Sequence, residues 1–231
     1  MKFSITKAAA AVALFVPLLA AAGVAPIVAI TEVSPTGSSA SYGADWFELT
    51  NTGSSALDIT GWKMDDNSNS FAVSVALRGV TSIAAGQSVV FIEGGSTGTG
   101  DAVLNANFKS AWFGAAATSV TFGNYGGASV GLSATTDAVN IFNSFGTVMA
   151  RADFGASTAG VSFDNQAGLN NVVLTQKSVV GVNGAFTSAS SGEVGSPGTI
   201  VTAVPEPETY ALTLAGLALV GVAARRRINA A

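Results

Sequence analysis

Cysteine and histidine are both missing from this chain of 231 residues. Without cysteine there are no disulfides, no thiolate metal ligands and no thiol nucleophile. Without histidine there is no serine–histidine triad and no imidazole-ligated zinc. The fold must rest on its apolar core and its sheet hydrogen bonds, with a bound ion as an optional addition. Charge is also sparse, at 10% of residues. Between Ile30 and Val204 stand 12 acidic and 5 basic residues, so the body carries −7. Phosphate backbones repel such a body, which argues against a nucleic-acid partner. Helical periodicity is nearly absent, and no internal repeat is visible.

What the chain has in quantity is apolar residues, 48%, and 27 glycines. Much of the apolar weight lies at the two ends. Met1–Ala22 (1–22) reads as a secretory signal: Lys2 and Lys7 make a basic start, Ala8–Ala22 is an apolar run broken by Pro17, and Ala20-Ala21-Ala22 supplies the small residues of a cleavage site. Cleavage after Ala25 is the other option, and an uncleaved anchor helix is the alternative to a signal. The expected partners here are signal peptidase and the export machinery.

The body, 27–186, reads as many short strands separated by turns, which predicts an all-β, antiparallel sandwich. Asp45–Lys63 organises it. Phe47 and Leu49 alternate with Trp46, Glu48 and Thr50. Thr52-Gly53-Ser54-Ser55 is turn chemistry, and Leu57 and Ile59 alternate again before Gly61-Trp62. Ile27–Ser34 is the expected first strand. Phe71–Leu77 is expected as a strand with Phe71, Val73, Val75 and Leu77 on one face. Ser88–Ile92 reads as a buried strand after a turn at Ile83–Gly86. Ala102–Gly114 holds the one expected helix, with Asn107 as a cap, Gly114 as its end, and Phe108, Trp112 and Phe113 as anchors. Ala138–Phe142 and Thr147–Phe154 form a hairpin, and Val161–Phe163 and Val172–Thr175 are expected edge strands. Ser188–Gly198 has a linker's composition, which gives a Gly/Ser-rich linker over 187–203.

These strands resemble the lamin tail domain, an immunoglobulin-like β-sandwich. The likeness runs over Ile27–Val33 with Glu32, Trp46-Phe47-Glu48-Leu49-Thr50-Asn51, Leu57-Asp58-Ile59-Thr60-Gly61-Trp62, Ile83-Ala84-Ala85-Gly86 before Val89–Ile92, and Gly131-Leu132-Ser133 with Asp137–Ile141. The chain departs at Ala85, where the family's turn usually carries proline. The resemblance implies a binding or structural module and brings no catalytic residues with it.

At the other end, Val204-Pro205-Glu206-Pro207 precedes an apolar run, Tyr210–Ala224 (210–224), followed by Arg225-Arg226-Arg227. As a helix the run would be about 23 Å long at roughly 1.5 Å per residue. That is a shallow transmembrane helix, with the arginines held in the cytoplasm and the body outside. Segment 204–227 resembles the PEP-CTERM sorting signal of Gram-negative bacteria. The resemblance implies an exosortase partner, cleavage near Pro205–Pro207, a transient inner-membrane anchor, and a destination at the cell envelope surface or in an extracellular matrix rich in exopolysaccharide. A plain single-span anchor is the alternative.

Within the body, Asp65, Asn67 and Asn69 place oxygen ligands at alternate positions, as at the start of a calcium loop, but Ser70 and Ala76 stand where such a loop needs glycine and glutamate. An ordinary solvated turn is the competing reading, and no other cofactor is implied. Glu32, Asp45, Glu48, Glu93 and Asp101 could supply a carboxylate pair for glycoside hydrolysis; otherwise they are strand-edge charges that prevent sheet-to-sheet pairing. Tyr42, Trp46, Trp62, Trp112 and Tyr125 could stack on sugars in a carbohydrate-binding module, or fill the core. The resulting expectation is a non-enzymatic, exported protein with a structural, adhesive or binding role.

Overall fold

The computed structural model describes residues 27–36, 40–116, 118–199 and 217. The expected signal at 1–22, the sorting motif and the 210–224 helix (Leu217 apart) lie outside the described residues. Among the described residues no helix is long and apolar enough to cross a membrane.

The elements are β1 (Val28–Ser34), β2 (Trp46–Asn51), β3 (Leu57–Asp58), β4 (Lys63–Asp65), β5 (Val75–Ala76), β6 (Ser82–Ile83), β7 (Ser88–Gly94), α1 (Asp101–Phe113), β8 (Thr121–Gly126), β9 (Asp137–Phe142), β10 (Val148–Phe154), β11 (Phe163–Asp164), β12 (Val172–Leu174), β13 (Phe186–Thr187) and β14 (Val194–Gly195). They form two five-stranded sheets, ordered β11-β1-β2-β7-β8 and β12-β10-β9-β4-β5, and two small ribbons, β13-β14 and β3-β6. Over residues 27–199 the described residues form a β-sandwich with one helix, α1, but it is not wholly antiparallel. β7 and β8 run parallel, as do β10 and β12. Sequence reading missed β8 because its two glycines in TFGNYG look like turn residues; pairing along β7 makes it a strand.

The organising stretch is a crossover rather than a hairpin. β2 pairs with β1 and β7, whereas β3 pairs with β6 and β4 joins the other sheet. The turn before β7 survives without its proline. Gln87 N–H donates to Ala84 O at 3.0 Å and Gly86 takes φ +70°, so Ala85 sits at the position proline would fill in a type II turn. The expected strand Phe71–Leu77 shrinks to Val75–Ala76: Val73 and Ser74 donate back to Ser70 O in a turn, which leaves Val73 half exposed. In the hairpin, Asn143 Oδ1 accepts from Phe145 N and Thr147 N, and Gly146 closes the turn at φ +84°.

The core between the sheets takes Val28, Ile30, Val33, Phe47, Leu49, Val89 and Phe91 from one sheet and Met64, Val139, Ile141, Ala152 and Phe154 from the other. Trp62 also points into it. The first sheet is covered on its outer face as well, so every residue of β1 and β2 is buried. One half of that outer face is aromatic. Trp46 meets the rings of Phe108 and Trp112 edge-on, at 5.6 and 5.7 Å between centroids, where α1 lies across the sheet. The helix starts at Asp101 after Gly100 and ends at Gly114. Asn107 is therefore not its cap: it sits mid-helix and donates to Ser41 O.

Candidate functional site

The other half of the outer face is polar. A bulge between Ile30 and Glu32 shifts the β1 register, so Glu32 stands directly across from Glu48 of β2. Both belong to interior strands and are 0% exposed, which overturns the reading of these two as strand-edge charges. Like charges directly opposite in a ladder repel. The surroundings soften this with hydroxyls. Thr31 Oγ1 donates to Glu48 Oε1 at 2.6 Å and shares a hydrogen bond with Thr50, which shares another with Ser88. Ser162 Oγ donates to Glu32 Oε1 and shares a bond with Ser178 Oγ.

The lid is the stretch expected as a flexible linker. Ser188, Glu193 and Ser196 are buried, and Glu193 N–H donates to Ser188 Oγ. Val194 is held through its backbone to Gly160 O (2.7 Å) and from Ser162 N–H (3.1 Å). Beyond it, Ser196 N–H and Ser196 Oγ donate to Glu32 Oε1 and Oε2 at 2.8 and 3.2 Å, and Gly198 N–H donates to Glu48 Oε2. Ser196-Pro197-Gly198-Thr199 is a type II turn, closed by Thr199 N–H to Ser196 O at 2.9 Å with Gly198 at φ +79°. Gly195 has no room for a side chain. An added Cβ would stand 2.5 Å from Glu32 Oε1 and 3.0 Å from Trp112 Cη2. Tyr42 Oη ties the two halves together, accepting from Trp112 Nε1 and donating to Glu193 Oε1.

Burial first, then the Glu48 charge, pushes the Glu32 carboxyl up to about 8. Burial likewise raises Glu48 to about 7 against hydrogen bonds from Thr31, Gly198 and Ser88 that favour its charged form. Among the described residues neither carboxylate has a salt-bridge partner. Two carboxyls thus face each other across the ladder, both fully buried and closed beneath a strap.

The remaining candidate carboxylates lie elsewhere on the fold. Glu93 and Asp101 line one open groove of about 410 Å³ with Tyr42, Thr99 and Leu104. Asp101 is bound by Arg78 at 3.0 Å. Burial, then Glu93, raises Asp45 to about 7, and burial raises Glu93. Tyr125 Oη beside them is buried and has no hydrogen-bond partner among the described residues. Tyr42, Trp46, Trp62, Trp112 and Tyr125 are all at most 5% exposed, so none offers a face to a sugar. Asp65 uses one carboxylate oxygen to accept from Ser68 Oγ and Ser70 N–H, while Asn67 and Asn69 are exposed. Among the described residues no cluster of three or more acidic groups has the arrangement of a metal site. Val204, Pro205, Glu206, Pro207, Arg225, Arg226 and Arg227 lie outside the described residues.

Sequence reasoning missed Ser162, Ser178, Gly195, Ser196 and Gly198. The available signals were Glu32 placed beside the apolar residues of the first strand and a Ser-Pro-Gly turn in the supposed linker. No curated protein matches the chain. The PEP-CTERM protein-sorting motif matches residues 203–227. The lamin tail domain matches residues 22–156, which takes in Glu32 and Glu48 but stops short of Ser162 and the strap. That match covers more than half of the chain, and the protein belongs to the lamin tail domain family.

Proposed function

We propose that this is an exosortase-sorted protein of the cell envelope or extracellular matrix, with a structural or adhesive role and no catalytic one. One observation carries the reading: the sorting motif at 203–227 begins only a few residues after a packed sandwich that ends at the strap. The tyrosines and tryptophans considered for sugar stacking are spent in its two cores, and its carboxyl pair at Glu32 and Glu48 is sealed from substrate. In this reading export places the body outside the inner membrane, exosortase removes the apolar helix, and the sandwich remains at the surface among exopolysaccharide and other envelope proteins.

A tagged chain expressed in an exosortase-bearing host tests this directly. The processed form should appear in the envelope or medium. Deleting the exosortase, or replacing Pro205, Glu206 and Pro207 with alanine, should leave an unprocessed form in the inner membrane. Unprocessed full-length protein in the cytoplasm of the wild-type host would reject the proposal.

A further inference from the structure

We propose that Gly195–Thr199 is a pH-gated clasp: it closes over Glu32 and Glu48 in acid and opens as the pH rises, lengthening the stretch between the body and the sorting motif. Three features of the geometry support this. The two carboxyls face each other across the β1–β2 ladder in a site closed to water. Among the described residues, the strap's side-chain hydrogen bonds to the body beyond Val194 run through the two glutamates and Gln166, whose Nε2 donates to Thr199 O at 3.1 Å and Ser196 Oγ at 3.3 Å; its other contacts are the Gly195–Phe186 pairing and packing of Gly195 on Trp112 and Gly198 on Val120. Close approach at Gly195 leaves no space for a hydration shell while the clasp is shut.

The charged groups around the pair do not neutralise it. On β11, Asp164 pairs in register with Glu32, but its carboxylate accepts from Gln166 N–H and Asn183 Nδ2. On the strap side, Glu193 is held by Tyr42 and Ser191. Lys177, next to Ser178, places its ammonium over the Phe163 ring and on Ala156 O. β7 contributes Ser88 and α1 contributes Trp112, both uncharged. The hydroxyls of Thr31, Ser162 and Ser196 can turn to accept from a protonated carboxyl. The amides of Ser196 and Gly198 can only donate, and each meets an oxygen of a different carboxyl, Glu32 and Glu48 respectively. Among the described residues neither carboxyl has a cation to meet its charge.

The sign follows from proton counting. The closed site holds protons to higher pH than a water-exposed glutamate, so closing binds protons. Closure is then complete in acid and weakens as pH rises from about 4.5 towards 8. For each proton lost on opening, the opening constant grows about tenfold per pH unit within that window. With the clasp shut, Pro205 lies six residues from Thr199 and reaches at most about 22 Å. Freed back to Val194, the span is eleven residues and at most about 40 Å. This consequence for processing rests on the sorting reading of the tail. The clasp itself does not.

Hydrogen exchange of the full chain in detergent, from pH 5.5 to 8.5, reads the clasp. Rates for the Ser196 and Gly198 amides are divided by their chemical rates and compared with the β9–β10 hairpin. Wild-type strap protection should fall about tenfold per pH unit for each carboxyl that loses a proton on opening, up to about a hundredfold where both do, while the hairpin holds, and the fall should vanish in Glu32→Gln/Glu48→Gln. Should that double variant fail to fold, Glu48→Gln alone should halve the slope. Gly195→Ala, whose added carbon meets Glu32, should leave the strap open at every pH. A flat wild-type profile, a strap that loses protection in step with the hairpin, or a protected strap in Gly195→Ala would each overturn the clasp. In exosortase-bearing membranes, wild-type cleavage relative to the double variant should rise with pH. No cleavage of either chain would count against the sorting reading and leave the exchange result standing.

Discussion

Replacing Glu48 with glutamine should stabilise the protein in mild alkali and do little in acid. The unfolded chain loses this proton near 4.5, while folded Glu48 keeps it to about 7. Between those values the native state binds more protons, so stability falls as pH rises and levels off above the window. At roughly 1.4 kcal/mol per pKa unit, a rise from 4.5 to about 7 corresponds to about 3 kcal/mol at pH 8.5. Glutamine leaves an oxygen to accept from Gly198 N–H, and its amide can donate to Thr31 Oγ1, so few hydrogen bonds are lost. Glu32 also gains, because the Glu48 charge is the second cause of its own rise. For a domain of this size about 3 kcal/mol corresponds to roughly 6–12 °C in Tm. Thermal unfolding followed by circular dichroism across pH 4.5–8.5 measures it. Other titrating groups, such as Asp45, cancel in the difference between the two proteins. The difference in Tm should close towards pH 4.5. A variant that melts below wild type at pH 8.5 would mean that hydrogen bonding to the charged carboxylate outweighs its burial, and the reasoning would fail.

Two further substitutions probe the packing that holds the site. Trp112→Ala removes a ring that packs on Trp46, Phe108, Phe186 and Gly195, and should cost about 3–5 kcal/mol in denaturant unfolding while exposing the strap to proteolysis. Gly123→Ala puts a carbon 2.5 Å from the Phe91 ring and 2.9 Å from Arg78 O, which should cost about 1–3 kcal/mol. Gly155→Ala, with nothing within 4 Å, is its control and should stay within about 0.5 kcal/mol of wild type in the same titration.

The parts of the fold that sequence pattern reached are those whose cause is local. Phe47 and Leu49, the run from Ser88 to Ile92, and the Asn143–Gly146 turn each follow from a period of two or from turn chemistry within a few residues. The parts it missed are set by partners far along the chain. Thr121–Gly126 becomes a strand only beside β7, and Trp46 and Trp62 face opposite cores because the chain changes sheets between them. The strap is the sharpest case. Glycine and serine at 188–198 carry the composition of a free linker, since a residue without a side chain orders poorly by itself. The same composition is what a segment needs to lie flat on two buried carboxyls. Gly195 admits no Cβ because Glu32, Ser162 and Trp112 already fill the space; Gly198 supplies the positive φ of its turn; and the serines provide hydroxyls that can either donate or accept. Composition therefore cannot separate a tether from a lid, because both are chosen for small side chains and differ only in what lies beneath. Here that is a pair of acids brought opposite each other by one bulge in β1, and it is this placement that turns a linker-like stretch into a fixed part of the domain just ahead of the sorting motif.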